Sequence, residues 1–447
     1  MRDSLTRFAR LAGAFIPDAT AMAVFMLLAL GATALLLGDT LTTTTDAFYR
    51  GLWMLLPFSM QMVLILLLSG VLASTPAFRR IVFALASLPR TTTQVFAVSI
   101  LFGAALSYLY WGLAFALGPL VAVHFAREAE KRGIVVDFPC LLAAQYAVSS
   151  VWQYGLSSSA ALLVATPGHF LEKTTGVMPL STTIWSPAAL ALTVLFPCAL
   201  IIVARLLMPR TVEPLSAFPN AEALTRLDPQ ADAEPGEARG IARWSERSRL
   251  VPLALVVMLV GWLWHHFVTQ DKSLDFNAMI VILLIGALLM QGNIANFSRG
   301  LAESIKSTWQ IAVLYQIYGA VAGVLQYTSV GAAFAGFFAS MSTPATFALL
   351  SAVAATLVAL FVPSSGGQWV IQGFVTSEAA AQVGVSPQIG LLSLGVGDQM
   401  GNLVAPFWMI VVAGVARVDF RKIYGFCLIF AALWFAMGVA TFTLATL

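Results

Sequence analysis

Apolar runs recur along the whole chain, at about residues 19–38, 52–73, 94–124, 138–166, 187–208, 250–268, 276–292, 307–326, 345–380, 388–415 and 423–446. A helix needs roughly 20 predominantly apolar residues to cross a hydrocarbon core of about 30 Å. Most runs meet that length once. The runs 94–124, 138–166, 345–380 and 388–415 are longer, and each is interrupted near its middle by residues that stop a helix. The pattern predicts an all-α polytopic membrane protein. Two long runs fold as re-entrant helical hairpins and two as discontinuous transmembrane helices.

The clearest interruption is Phe361–Gln372, F-V-P-S-S-G-G-Q-W-V-I-Q, flanked by apolar segments Thr346–Leu360 and Trp369–Val383. Neither flank is long enough to span alone. The proline, serines and glycines leave backbone N–H and C=O groups without intrahelical partners. Lipid cannot satisfy such groups, so they survive at membrane depth only inside protein or beside a wet cavity. No charge falls between Thr343 and Glu378, which favours a buried tip over a surface turn. The run 94–124 has the same plan around Ser107-Tyr108-Leu109-Tyr110-Trp111-Gly112. The runs that follow the two hairpins break at Gly155-Leu156-Ser157-Ser158-Ser159 and near Gly401-Asn402-Leu403-Val404-Ala405-Pro406.

Composition agrees with this picture. The 447 residues are 59% hydrophobic and 10% charged, against about 25% charged in soluble domains. A soluble enzyme or a nucleic-acid-binding domain is thereby excluded. Cys140, Cys198 and Cys427 all lie in apolar runs without metal-ligand spacing. The first run reads as a retained helix, because no small-residue cleavage motif follows it. Threading the runs with both hairpins re-entering their own side leaves only Arg50, Lys173 and Lys272, of 24 basic residues, on one face. The opposite face, with Arg2, Arg79, Arg80, Arg127, Lys306, Arg417 and the rest, is then cytoplasmic. This places the N-terminus in the cytoplasm and the C-terminus on the opposite face of the membrane. Counting 345–380 as a single crossing would move Arg417, Arg421 and Lys422 outside, so the charges also favour a hairpin.

The chain divides into a first membrane repeat (1–208), a polar cytoplasmic linker (209–249) and a connector helix with a second repeat (250–447). The linker is almost free of aromatics and reads as largely disordered. Each half carries a hairpin and then a broken span, and the first hairpin opens to the cytoplasm while the second opens outward. The repeats are therefore inverted, an arrangement that points to a transporter site at the midplane.

The motifs Pro363–Gly373 (P-S-S-G-G-Q-W-V-I-Q-G), Ala165–Gly168 (A-T-P-G) and Gly397-Asp398-Gln399 with Asn402 and Ala405-Pro406-Phe407-Trp408 resemble the bacterial short-chain fatty acid transporter family. The likeness runs from Arg7-Phe8 and Pro17-Asp18 through Met60-Gln61-Met62 and Phe125-Ala126-Arg127-Glu128 to the last helix. It implies uptake of short-chain monocarboxylates such as acetoacetate or butyrate. It also implies a superfamily of inverted-repeat hairpin carriers, often elevators working as homodimers. The chain departs from the family pattern at Ser365 and Gln368, where a glycine-rich tip and a histidine are usual. It departs again at Phe374, where proline is usual, and at Asp398, where glutamate is expected.

A short fatty acid at neutral pH is a carboxylate with a small apolar tail. Helix N-termini after Gly367 and after the break near Gly401 would aim free N–H groups at the anion. Ser364, Ser365, Gly366, Gly367 and Gln368 at one tip, Ser157, Ser158 and Ser159 at the first break, and Asn402 at the second are the candidate binding positions. Tyr108, Trp111, Gly112 and Trp369 would wall the tail. For any one of these serines, satisfying a helix break is an equally good account; as a set, the tips favour binding. Asp398 is a carboxylate inside an apolar run, costly there and therefore a functional candidate. It would carry a coupling proton or help to hold a sodium ion near Gly401 and Asn402. The structural alternative is a hydrogen bond to Gln399 or to a serine across the interface. Gln61 and Gln316, at matching places in the two halves, would glue helices or line the path. His265 and His266 read as interfacial residues, and Arg127-Glu128 as an interfacial ion pair.

A channel would need rings of like residues from several subunits. An intramembrane enzyme would need clustered acid–base or metal groups, yet His124, His169, His265 and His266 are dispersed and no H-E-x-x-H or G-x-S-x-G occurs. A secondary carrier without further cofactors fits best. Dicarboxylate or aromatic-acid carriage is the alternative within the same superfamily.

Overall fold

The computed structural model describes residues 19–73, 81–82, 84–226, 240–305, 309–360 and 362–446. The basic residues Arg2 to Arg10, Arg79, Arg80 and Lys306, together with Phe361 and linker positions 227–239, lie outside the described residues. Helices make up the described chain, with no strand among the described residues. Five are long and apolar enough to cross a membrane, including Leu41–Leu72 and Arg421–Leu444. A sixth follows if Val313–Tyr327 and Ser329–Met341, bent by 76°, count as one span. The chain is a multi-pass membrane protein.

The four predicted interruptions are present. Thr92–Leu109 and Trp111–Lys131 pack on each other around a single extended residue, Tyr110. Pro344–Ala359 and Ser365–Gln382 form the corresponding pair in the second half. Side-chain caps fix where these helices start: Thr91 accepts from Gln94, Thr343 closes a reciprocal box with Thr346, and Ser364 accepts from Gly367. The first broken helix runs as Phe138–Val148, tightens into a 3-10 turn at Ser149–Tyr154, and restarts at Ser159–Ala165.

The second break falls at the far end of the expected stretch Gly401–Pro406. Pro387–Val404 continues through Gly401 and Asn402, and the break falls at Ala405, before Pro406–Val415. Proline at 406 cannot continue the backbone ladder, which sets the position. Gly397 and Gly401 have a different task. A Cβ on Gly397 would strike the Ala352 carbonyl, and one on Gly401 would lie 2.5 Å from the Ala359 Cβ. The two glycines, spaced four apart, form a small-residue seam that brings the broken helix onto the hairpin arm Pro344–Ala359. Gly51, Gly319 and Gly323 make a second such crossing.

The helices gather into two packing groups. One contains Ala19–Leu36, Leu41–Met54, Leu56–Ala73, Phe276–Gln291, Ile294–Ser304 and Trp309–Tyr327. The other contains both hairpins, both broken helices, Pro187–Leu207 and Arg421–Leu444. They meet where Trp309–Tyr327 and Ser329–Met341 face Ser365–Gln382, and where Leu56–Ala73 faces Trp111–Lys131. Gln61 donates to Asn277 at 3.0 Å within the first group, and Gln316 donates to Ser59 at 2.7 Å. Both glutamines therefore hold helices together.

The linker also differs from expectation over its first part. Residues 209–226 lie against the ends of Trp111–Lys131, Phe138–Val148 and Arg421–Leu444, burying Leu215, Ala221 and Leu224. Glu213 exchanges backbone hydrogen bonds with the chain at Phe138 and the Asp137 carboxylate, and its own carboxylate takes Lys422 at 2.9 Å. Ser216 N–H donates to Glu130, and the Phe138 and Phe218 rings meet edge to face. Leucine and phenylalanine spaced through a polar segment supply the burial that low-complexity sequence lacks.

Candidate functional site

The four interruptions touch one another in a closed cycle. The first hairpin tip meets the first break, where the Trp111 N–H donates to Ser157 Oγ at 2.9 Å. The first break meets the second tip, since a Cβ on Gly366 would lie 3.0 Å from Ser159 Oγ. The second tip meets the second break, where Trp408 Nε1 donates to the Pro363 carbonyl at 2.9 Å. The second break returns to the first tip through the Trp111 and Trp408 rings, 6.4 Å apart. Helix ends bring unsatisfied backbone groups with them, so this cycle concentrates polar backbone in an apolar body.

Asp398 sits inside this arrangement with no solvent exposure. Gln153 Nε2 donates to its Oδ2 at 2.5 Å and Asn402 Nδ2 to the same oxygen at 3.1 Å. Its second oxygen has no hydrogen-bond partner, and among the described residues no lysine or arginine pairs with it. Neither Gln399 nor a serine is its partner. Gln399 Oε1 instead accepts from Trp152 Nε1 at 3.2 Å. Asn402 is further fixed by Tyr146, whose hydroxyl donates to its carbonyl at 2.6 Å. Asn402 Oδ1, Gln399 Nε2, Ser365 Oγ, Gln368 Oε1 and Trp369 Nε1 are buried without partners. Each such atom costs about 1–3 kcal/mol when left unpaired, so Pro387–Val404 and Ser365–Gln382 carry donors and acceptors that the described side chains do not satisfy.

The second tip is held from the opposite packing group. Tyr315 and Ser364 hydroxyls lie 2.7 Å apart, and a Cβ on Gly366 would lie 2.8 Å from the Phe58 ring. On Gly367 it would lie 3.2 Å from Tyr318. No side chain fits at either position without displacing these rings, and that accounts for the paired glycines. Gln368 turns away from the tip to donate to Ala355 O and Gln372 Oε1.

Several expected wall residues take other roles. Tyr108 turns outward, its hydroxyl accepting from Trp185 Nε1, while its carbonyl accepts from Leu156 N–H. Tyr110 points inward instead and donates to the Ile65 carbonyl at 3.2 Å. Gly112 lies against the Tyr110 ring, and Trp369 is fully buried beside Gly373. Trp111 does stand among aromatics, with Trp152 at 6.1 Å and Trp408 beyond it, and Phe115 is 4.9 Å from Trp408. His266, expected at an interface, is buried, stacks on Trp262 and bonds the Ser273 carbonyl. Glu128 pairs with Lys131 at 2.6 Å and with Arg132 at 3.6 Å.

A narrow cavity, with room for a water-sized occupant, lies between the first break and the second tip. Gln153, Ser158 and Ser365 form its polar side and Ile184, Leu391 and Leu392 its apolar side. Gln153 was not a sequence candidate. It lies far from Asp398 along the chain, and nothing local distinguishes it from a structural glutamine.

Known proteins give this arrangement a context. The Short chain fatty acid transporter family profile matches residues 2–444. A relative from Escherichia coli (strain K12), named for short-chain fatty acid transport, is 27% identical over 446 residues, spanning 98% of this chain and 99% of that protein. One of the same name from Haemophilus influenzae (strain ATCC 51907 / DSM 11121 / KW20 / Rd) is 28% identical over 400 residues, 87% of this chain and 88% of that protein. Among solved structures, the YdaH transporter of Alcanivorax borkumensis superposes with a TM-score of 0.54 at 15% identity, over 96% of this chain and 98% of that one. Neisseria gonorrhoeae MtrF, described with a class of antimetabolite efflux pumps, gives 0.57 at 15% identity, over 98% and 97%. At that identity the two structures speak for the fold alone. The match along nearly the whole sequence makes this chain a member of the short-chain fatty acid transporter family.

Proposed function

We propose that this chain is a secondary carrier for short-chain monocarboxylates, such as acetoacetate and butyrate, in a bacterial inner membrane. Its two halves are inverted repeats with re-entrant hairpins, and it works as a homodimer by elevator-type alternating access. The closed cycle of four interruptions around the buried Asp398 carries this conclusion. Backbone broken at membrane depth is tolerated only where it lines a cavity, and paired breaks in two halves are the mark of a carrier.

The division into two packing groups supports an elevator. All four interruptions belong to one group, and the other touches the second tip through Phe58, Tyr315 and Tyr318. Hydroxyl and aromatic contacts of this kind slide at lower cost than buried ion pairs break. Ser364, Ser365, Ser159 and the start of Ser365–Gln382 supply donors for one carboxylate, and Trp111, Phe115 and Trp408 supply apolar surface. Among the described residues no arginine or lysine stands at the tips, which disfavours a dicarboxylate.

An anionic substrate near Asp398 requires a compensating positive charge. Two unit charges about 6 Å apart repel by roughly 3 kcal/mol at an effective dielectric of 20. A proton or sodium ion taken up with the substrate offsets this, which supports symport. The test is uptake of labelled butyrate and acetoacetate into proteoliposomes under imposed proton or sodium gradients, with succinate as competitor. Accumulation driven by one gradient and unaffected by succinate is expected. Flux without accumulation, or strong competition by succinate, would overturn the proposal.

A further inference from the structure

The narrow cavity between the first break and the second tip lies one hydrogen bond from Asp398, and Gln153 is the link. Its Nε2 donates to the carboxylate. Its Oε1 faces the opposite way, 3.4 Å from where a Cβ on Gly395 would stand, and Gly395 lines the cavity. A primary amide has one donor end and one acceptor end. Fixing the donor end on a carboxylate therefore presents a polarised oxygen to the cavity.

Two serines line the same space. Ser365 is 1% exposed and its Oγ has no partner. Ser158 is 2% exposed and stands at the start of Ser159–Ala165 without capping that helix. Neutral oxygens with a buried carboxylate behind them suit a hard cation. The space admits a water-sized occupant, which excludes a carboxylic acid of several carbons and a hydrated ion. The backbone nearer Asp398 is already engaged: the Gly401 carbonyl accepts from Ala405 N–H and the Asn402 carbonyl from Tyr146.

We propose that this cavity binds a dehydrated monovalent cation of the size of sodium, with Gln153, Ser158 and Ser365 as oxygen ligands and Asp398 acting on it through Gln153. The role as coupling ion rests on the carrier function proposed above; binding itself does not, and is measured without substrate.

The experiment is thermal unfolding of the purified full chain in sodium, lithium, potassium or choline chloride at constant ionic strength. Sodium is expected to raise Tm in a saturable manner, with potassium and choline giving the same baseline, because a ligand that binds only the folded state stabilises it. Ser365→Ala and Ser158→Ala should each lose the sodium-dependent shift while keeping a cooperative transition in choline. Asp398→Asn should weaken the apparent sodium affinity by roughly 10–100-fold, as loss of an orienting outer-shell partner does. A sodium response no larger than that of potassium overturns the site, as does an unchanged response in both serine variants. Proton-driven butyrate accumulation by a protein without a sodium shift would remove the ion site and leave the carrier standing. Sodium binding without carboxylate flux would do the reverse.

Discussion

The two halves use the same plan with different chemistry. The first tip is aromatic and anchored by backbone: Tyr110 reaches Ile65, Trp111 is capped by Ser157, and Ser107 donates to the Ser149 carbonyl at 2.6 Å. The second tip is built from serine and glycine and held by one hydroxyl pair, Tyr315 with Ser364, and by Trp408 on the Pro363 carbonyl. The breaks differ too. The first spreads over a 3-10 turn and extended residues, whereas the second is a single residue before a proline. Asp398, the acid without solvent exposure among the described residues, lies in the second half, and one of its two donors comes from the first. Gln153 and Asn402 occupy the same distance from the starts of Phe138–Val148 and Pro387–Val404, and both donate to one oxygen of Asp398. The two interrupted stretches are thus alike in being broken helices and different in the groups they bring together. The first half contributes Gln153 as a donor, the second the buried carboxylate and the serine–glycine tip.

The sharpest way to break this contrast is to remove the charge. Asp398→Asn should reduce gradient-driven accumulation in proteoliposomes to background while leaving substrate exchange measurable. Full gradient-driven uptake in that variant would remove Asp398 from coupling. The glycine seam comes next. Gly397→Leu forces a side chain against the Ala352 carbonyl and should cost about 1–3 kcal/mol or more. Gly414→Ala, with open space around it, should be close to neutral in the same denaturation series. The tips themselves separate with Tyr315→Phe and Tyr110→Phe. Each loses one hydrogen bond worth about 1 kcal/mol. Tyr315→Phe should change transport rate because it frees the second tip, whereas Tyr110→Phe should lower stability and leave the rate near normal. The smallest effect belongs to Lys131→Ala, which removes a surface pair with Glu128 and should cost under about 1 kcal/mol, less at high salt.

Interrupted helices were legible in the sequence because proline, glycine and serine clusters stand out within apolar runs. The hairpin tip at Pro363–Gly367 and the first break at Gly155–Ser158 fall where those clusters are. Within the stretch Gly401–Pro406 the sequence does not separate Gly401 from Ala405 as the break, because a glycine that ends a helix and a glycine that lets two helices touch look alike in one dimension. Only the neighbouring arm, with Ala352, Ala355 and Ala359 facing it, distinguishes them. The choice between Tyr108 and Tyr110 depends on how the chain turns at the tip, which adjacent aromatics do not reveal. Partners of Asp398 were illegible for a related reason, since the donor from the first half is brought there by tertiary folding alone. The ordered segment after Pro209 was hidden by its composition, because its few apolar residues are too sparse to give a period.

The strap over residues 209–226 bears on how the two halves could be made apart. It follows the last helix of the first half, yet Glu213 grips Lys422 at the start of the final helix. A polypeptide ending at Leu207 would leave the floor formed by Phe138, Phe218 and Leu215 open and Lys422 without its acid. One ending after Arg226 would carry a ready-made handle for the other fragment. Coexpressed fragments divided beyond Arg226 should therefore reassemble in the membrane, while a first fragment ending at Leu207 paired with the same second fragment, so that the strap is missing from both, should not.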